Sequence, residues 1–296
     1  MKIFITGVES FVGHYLRNIL KKKNKHQITG IDKNKNLPST KKFDINDKDL
    51  FKVIPNNCDC LIHLAAVSTT DSFKKDPSKS FDVNVNGTFN VMQAAIKKNV
   101  KQIIFASSEW VYGEEKSSKV KNEKNPLSLQ AISSDYTLSK ILGEQIVEYY
   151  SAKNKISCTI LRFGIIYGPR IKDKNISAVE SIIKTLITKN ELTVGSKKTA
   201  RKFIYITDLC EAINKAIGIK NINKFNITGN QLINLDMIYK EVKKNLKRDV
   251  KIFETNKKSY NIRNIDNKSF KKISNWKPKI DIREGVKNII DILKKN

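Results

Sequence analysis

The chain has 296 residues, 40% of them hydrophobic, and its 56 basic and 29 acidic side chains leave a formal charge of +27. That length supports one large or two modest domains. No apolar run reaches the roughly 18 residues of a membrane span, and no basic-then-apolar leader precedes the first strand pattern, so a cytoplasmic protein with no membrane partner is expected. The lysines are spread along the chain, with no basic block interleaved with aromatics. The charge therefore reads as a solvated surface that favours capture of small anions, and nucleic acid is not expected as a partner.

Residues 2–6, KIFIT, form an apolar run followed by Gly7, and an amphipathic stretch begins near Phe11: strand, glycine turn, helix. Further strands are predicted at 27–32 (QITGID), near 41–45 (KKFDI, with a short helix from Asn46) and at 58–64 (CDCLIHL). A long helix opened by Pro77 follows at 77–98, then a strand at 100–108, a loop, a helix at 133–153 and a strand at 156–164. Strands alternating with helices predict a parallel sheet covered on both faces. After Pro169 the pattern changes to helices at 176–189, 207–219, 233–246 and 282–295, with short strands near 191–194, 202–206, 224–228 and 250–253. This reads as an α/β domain over 1–168 and a smaller α/β region over 169–296, with 202–222 returning to the first.

The cysteines are Cys58, Cys60, Cys158 and Cys210. Cys58 and Cys60 are two apart in a strand, a poor disulfide, and no second Cys or His pair stands at ligand spacing. Core thiols in a reducing compartment and no metal are expected.

The first turn reads Thr6-Gly7-Val8-Glu9-Ser10-Phe11-Val12-Gly13. A dinucleotide-binding fold needs a tight turn after the first strand, a close approach of backbone to pyrophosphate, and intimate packing of helix on strand. Gly7 and Gly13 suit the first and last tasks. Ser10 holds the middle position, its hydroxyl toward the phosphates or solvent. Asp32 ends the second strand about 20 residues on, where an acid accepts from ribose hydroxyls and repels a 2′-phosphate. NAD is therefore favoured over NADP, although Lys33 and Lys35 blunt the repulsion. The plain alternative is a carboxylate capping a turn.

Tyr136 and Lys140 are four apart on a predicted helix, hence on one face. An ammonium near a phenol favours phenolate, which lowers a pKa of about 10 and lets the oxygen take a proton from a hydroxyl at neutral pH. Ser108 closes the 100–108 strand, at the sheet edge where open α/β folds place ligands.

The segments TGVESFVG, HLAA at 63–66, SSEWVYG at 107–113, YTLSK at 136–140, RFGIIYGPR at 162–170 and ARKFIYITDL at 200–209 together resemble extended short-chain dehydrogenases/reductases. More narrowly, they resemble the NAD-dependent epimerase/dehydratase family acting on nucleotide sugars. The resemblance implies a doubly wound parallel-sheet Rossmann domain with a smaller C-terminal α/β substrate domain, NAD as cofactor and a nucleotide-sugar substrate. It also implies homodimers packed through the helices at 77–98 and 133–153. It assigns Tyr136 as base, Lys140 as its partner and a ribose ligand, and Ser108 as a hydrogen-bonding aid. Gly7, Ser10, Phe11, Val12 and Gly13 would surround the pyrophosphate, and Asp32 the ribose. Asp44 with Ile45 would meet the adenine, and the backbone of Leu64, Ala65 and Ala66 would run beside the cofactor. Asn84 matches an asparagine near the active site, with packing as the plain alternative, and His63 reads as structural. Arg201 would hold the substrate diphosphate, helped by Arg170 and by Arg263, for which a surface salt bridge is an equal reading.

The chain departs from the family pattern at Ser10, in place of the middle glycine, and at Ile165, where many members carry an asparagine that holds the diphosphate. It also departs at Trp110, where 4,6-dehydratases carry an acid. Glu109 stands one place earlier, as a candidate substrate ligand and general acid. An epimerase working at C4 through a keto-sugar therefore ranks above a dehydratase or a keto-sugar reductase, and a non-enzymatic dinucleotide-binding protein ranks below these.

Overall fold

The computed structural model describes the whole chain apart from residues 23–25, 35–39, 115, 128–131, 171–176, 248 and 296. In chain order its elements begin with β1 (Lys2–Thr6), α1 (Phe11–Lys22), β2 (Gln27–Asp32), β3 (Thr40–Lys42), β4 (Cys60–His63), α2 (Thr70–Lys75), α3 (Pro77–Phe81), α4 (Gly87–Lys97), β5 (Gln102–Ser108), β6 (Val120–Lys121), α5 (Asp135–Lys153) and β7 (Ser157–Phe163). They continue with β8 (Ile165–Tyr167), α6 (Ala178–Thr188), β9 (Glu191–Val194), β10 (Ala200–Arg201), β11 (Phe203–Tyr205), α7 (Ile206–Ala216), β12 (Ile222–Ile227), β13 (Ile233–Asn234), α8 (Leu235–Leu246), β14 (Lys251–Glu254), β15 (Ile262–Ile265), α9 (Lys268–Ser274) and α10 (Ile282–Lys295).

A seven-stranded sheet runs β12-β7-β5-β4-β1-β2-β3. The pairs β1/β2, β1/β4, β2/β3 and β4/β5 are parallel. β4 and β5 are buried along their whole length, as parallel strands covered on both faces must be, which is why CLIH and QIIFASS read as near-continuous runs. The chain reverses direction across the sheet between β1 and β4, and this reversal opens a crevice at the carboxyl ends of the strands. Phe4, Leu61, Ile103 and Ile160 on the strands pack with Val91, Met92, Ala95 and Val147 from α4 and α5 in one buried cluster.

The helices start where the chain offers caps. Asp76 accepts from Lys79 N at 2.9 Å ahead of Pro77, and Ser134 accepts from Thr137 N at 3.2 Å ahead of α5. The helix expected over 77–98 is not uniform. α3 passes into a five-residue π segment, Asp82–Asn86, before α4. The short helix expected from Asn46 is a 3-10 turn at Leu50–Lys52, and the third strand is shorter than expected, at Thr40–Lys42.

The strand expected near 224–228 in the C-terminal region instead joins the large sheet as β12. Cys158 N donates to Asn221 O at 2.9 Å and Gly164 N to Ile227 O at 3.0 Å along its border with β7.

The chain forms two compact units. The first comprises Met1–Gly113, Leu127–Arg162 and Cys210–Phe225. The second comprises Glu114–Pro126, Phe163–Leu209 and Asn226–Asn296. The second unit holds a mixed sheet β13-β10-β15-β6 and the parallel pairs β11/β8 and β14/β9. β6 comes from the 114–126 segment, which donates a strand to β15 far along the chain. Among the described residues no helix is long and apolar enough to cross a membrane.

Candidate active site

The carboxyl ends of β1, β2, β4 and β5 bring the dinucleotide turn, Asp32, Leu64–Ala66 and Ser108 to one edge of the first unit. At the turn, Gly7 takes φ +71°. A Cβ there would stand 2.8 Å from Ala65 N, and one on Gly13 would stand 2.4 Å from Gly7 O. Neither position admits a side chain, because the turn lies against the β4 exit and α1 lies against the turn. These are the tight turn and the intimate helix packing that a dinucleotide fold needs around a pyrophosphate, so the cradle fits NAD. Phe11 and Val12 are half-buried in the first turn of α1, where free N–H groups and the helix dipole favour an anion.

Ser10 has a role within the turn itself. Its Oγ accepts from Gly13 N at 3.1 Å, so it caps α1. The departure from the family glycine is thus a capping substitution within an intact turn. Asp32 accepts from Glu9 N at 3.3 Å and Asn34 N at 3.0 Å, which ties β2 to the turn and leaves lone pairs on both oxygens for ribose hydroxyls. The capping and ribose readings are therefore compatible. Lys35, counted with Lys33 as blunting the acid, lies outside the described residues. Asp44 is exposed and turns its carboxylate to Asn46 N at 2.9 Å, whereas Ile45 is buried against Gly87.

Leu64 N donates to Thr6 O at 3.1 Å and Ala65 N to Thr6 Oγ1 at 3.3 Å, fixing the loop after β4 to β1. Thr88 Oγ1 donates to Asn84 O at 2.7 Å, so it accepts from His63 Nε2 at 3.1 Å, and Nδ1 of the ring in turn accepts from Thr6 Oγ1 at 2.7 Å. Both ring nitrogens are committed. Burial, helped by the Lys140 charge, drives the imidazole down to about 3, so His63 is a neutral strut. Asn84 sits in the π segment with its amide fully used. Its Oδ1 accepts from Val67 N at 2.8 Å, while its Nδ2 donates to Val67 O at 2.9 Å and to Ser139 Oγ at 3.0 Å. It acts as a positioning residue, clamping the Ala65–Val67 loop to the helix that carries Tyr136 and Lys140. The extra residue of the π turn aims it there.

Ser108 ends β5, accepts from Trp110 N at 3.3 Å, and is hydrogen-bonded through its side chain to the Tyr136 hydroxyl. Lys140 is buried. Its Nζ donates to Ala106 O at 2.9 Å and lies 5.9 Å from the centroid of the Tyr136 ring. The structure thus brings Ser108, Tyr136 and Lys140 together. The expected lowering of the phenol is not found in this protein alone. Burial pushes Tyr136 up to about 12, only partly offset by the Ser108 bond. Burial also brings Lys140 down to about 8, against the pull of Glu144. The reason is geometric: the ammonium is directed to a backbone carbonyl and not to the phenol oxygen.

Beneath this trio lies a network that the motifs did not single out. Glu144, fully buried, accepts from Arg162 Nε at 2.9 Å and Nη2 at 2.7 Å and from the Ser107 hydroxyl, while Arg162 Nη1 donates to Tyr112 OH at 2.9 Å. The spacing Tyr136, Lys140, Glu144 repeats every four residues on one helix face and was the available signal. Glu109, expected as a substrate ligand and general acid, is fully buried at the first turn after β5.

In the second unit, Arg201 and Arg263 are register partners on β10 and β15, and both are buried. Arg201 Nη1 donates to Ala200 O at 2.7 Å and Asn261 O at 2.8 Å, and Nη2 donates to the Asn261 side chain. Arg263 pairs with Glu114 at 3.4 Å. Arg170 pairs with Glu180 at 3.4 Å, so its charge is met within the unit.

The model of the NAD dependent epimerase/dehydratase family matches residues 3–228. The chain belongs to this family. NAD, the dinucleotide expected from the turn and from Asp32, is the family's cofactor. Among its relatives, a putative UDP-glucose 4-epimerase of Methanocaldococcus jannaschii is 30% identical over 99% of either chain. A UDP-glucuronic acid decarboxylase of Arabidopsis thaliana is 25% identical over 97% of this chain and 87% of that one. In fold, this family member superposes on the UDP-glucose 4-epimerase of Thermotoga maritima with a TM-score of 0.86 at 21% identity, covering 100% of this chain and 99% of the other. The doubly wound parallel-sheet architecture expected from the strand–helix alternation is thereby shown.

Proposed function

We propose that this protein is an NAD-dependent nucleotide-sugar epimerase that inverts C4 through a keto-sugar. The observation that carries the reading is the Ser108–Tyr136–Lys140 trio at the β5 edge beside the glycine cradle. The bound cofactor would supply hydride acceptance and return at the sugar carbon, together with a positive nicotinamide. Tyr136 takes the C4 hydroxyl proton onto its oxygen and later returns it, while Ser108 holds the same substrate oxygen. A phenol at about 12 in the protein alone is a poor base. The reading therefore requires the Lys140 ammonium and the cofactor charge to lower it once the site is filled. Asn84 keeps the β4 loop and α5 in register during the cycle.

Arg201 and Arg263 are proposed to meet the substrate diphosphate: two guanidinium groups buried as register partners on neighbouring strands, one of them paired with Glu114 at 3.4 Å, suit a dianion. Epimerisation is favoured over 4,6-dehydration because Trp110 and a buried Glu109 supply no acid at the dehydratase position. The relatives support a nucleotide sugar, and the epimerase names among them support C4. The exposed Phe89, Leu142 and Tyr149 on α4 and α5, with Phe89 edge-on to Tyr150 at 5.4 Å, support homodimers through these helices.

The test is incubation with NAD and a panel of UDP-, dTDP-, GDP- and CDP-sugars, followed by NMR and by absorbance of reduced cofactor. A new sugar isomer without net NADH is the expected result. A deoxy-keto product, loss of carbon dioxide, or stoichiometric cofactor oxidation would replace epimerase by dehydratase, decarboxylase or reductase. Tyr136→Phe is expected to lower kcat by about 100-fold or more, and full activity in that variant would refute the assigned base.

A further inference from the structure

The dinucleotide turn carries an ion pair that the glycine pattern does not account for. Glu9 follows Gly7 by two residues, and its side chain is only 4% exposed. Its Oε1 is ion-paired with Arg17 Nη1, from the interior of α1, and accepts from Thr40 Oγ1, the first residue of β3, at 2.7 Å. Arg17 Nη1 also reaches Thr40 Oγ1 at 3.4 Å. Glu9 is joined to the ribose acid as well, because its backbone N donates to Asp32 Oδ2 at 3.3 Å. The residue that pairs with Arg17 is therefore bonded through its backbone to Asp32, at the end of the crevice where the 2′-position of a bound adenosine ribose is read. Arg17 is 8% exposed, and its Nε finds no acceptor among the described residues, so the buried guanidinium retains an unused donor. A guanidinium near that ribose is the group that accommodates a 2′-phosphate in dinucleotide folds.

We propose that Glu9 is a cofactor-specificity residue: by ion-pairing Arg17 within the turn that is bonded to Asp32, it withholds the guanidinium from a 2′-phosphate, enforcing NAD over NADP. This rests on the family's use of NAD. Asp32, tied to two backbone N–H groups, repels a 2′-phosphate, and Glu9 neutralises a guanidinium that would offset that repulsion. The pair also resolves why an arginine lies on the buried face of α1 between Leu16 and Leu20.

The test is calorimetric titration of NAD and of NADP into the full chain, stripped of any co-purified dinucleotide, for the wild type, Glu9→Gln, and the double variant Glu9→Gln/Arg17→Met. Melting curves establish that each is folded. The wild type is expected to prefer NAD, and Glu9→Gln to narrow that preference by about tenfold or more through a gain in NADP affinity. The double variant, which has no unmasked guanidinium, is expected to lose the gain. If Glu9→Gln does not fold, Glu9→Ser, which admits water beside Arg17, carries the same expectation. A folded Glu9 variant with an unchanged preference would overturn the proposal and leave the pair as a strut between turn and β3. A gain that survives in the double variant would overturn the role of Arg17. Failure of the wild type to bind either dinucleotide would overturn the cofactor assignment and this proposal with it.

Discussion

Replacing Lys140 by Met tests the physical account of the site. The ammonium is buried on α5, and its descent from 10.5 to about 8 means that the folded state disfavours the charged form. At about 1.4 kcal/mol per pH unit, this corresponds to about 3 kcal/mol of stability withheld wherever the lysine is protonated in both states. Below the folded value both states carry the proton and the full cost is present. Between that value and 10.5 the unfolded chain binds more protons, so stability rises with pH and the cost fades. Met is apolar and of similar length, so it removes the buried charge but also the bond to Ala106 O at 2.9 Å, a loss that does not depend on pH. Urea unfolding of the wild type and Lys140→Met in the absence of cofactor reads the difference. The stability of the variant relative to wild type is expected to fall by about 2 kcal/mol between about pH 7 and about pH 10, while turnover is lost throughout. A difference that does not change with pH would refute the claim that Lys140 is held charged against burial, and with it the idea that this lysine is energetically poised for the phenol.

Two further substitutions probe the cradle and its support. Ser10→Ala is expected to cost about 1 kcal/mol in denaturant unfolding through loss of the cap to Gly13 N, and Ser10→Gly only a few tenths. Both should leave NAD titrations nearly unchanged, and a large loss of NAD affinity would mean that the hydroxyl serves phosphate after all. Glu144→Ala strands the Arg162 guanidinium in the core and is expected to cost about 3–5 kcal/mol, read as a lower urea midpoint. A midpoint within experimental scatter of wild type would show that water or a rearranged partner takes the place of the carboxylate.

The sequence by itself determined the alternation of strands and helices and the parallel sheet, because period and turn chemistry are local. It also determined the glycine turn with Asp32 one strand later, and the Tyr136/Lys140 pair one helical turn apart. The order of six motifs determined the family. Tertiary structure alone decided the rest. The stretch near 224–228 reads as one more short strand, and only edge pairing beside β7 placed it, as Ile222–Ile227, in the large sheet. Val120–Lys121 and Ala200–Arg201 are too short to carry any period, so the sheet that sets Arg201 beside Arg263 was invisible beforehand. Ser10 became a cap because the first N–H groups of α1 have no partner within the helix, and its hydroxyl was the nearest acceptor. The phenol of Tyr136 and the ammonium of Lys140 share a helix face, as their spacing requires. Their ionisation followed burial and the carbonyl of Ala106, because desolvation and directed hydrogen bonds depend on what the rest of the fold packs around them.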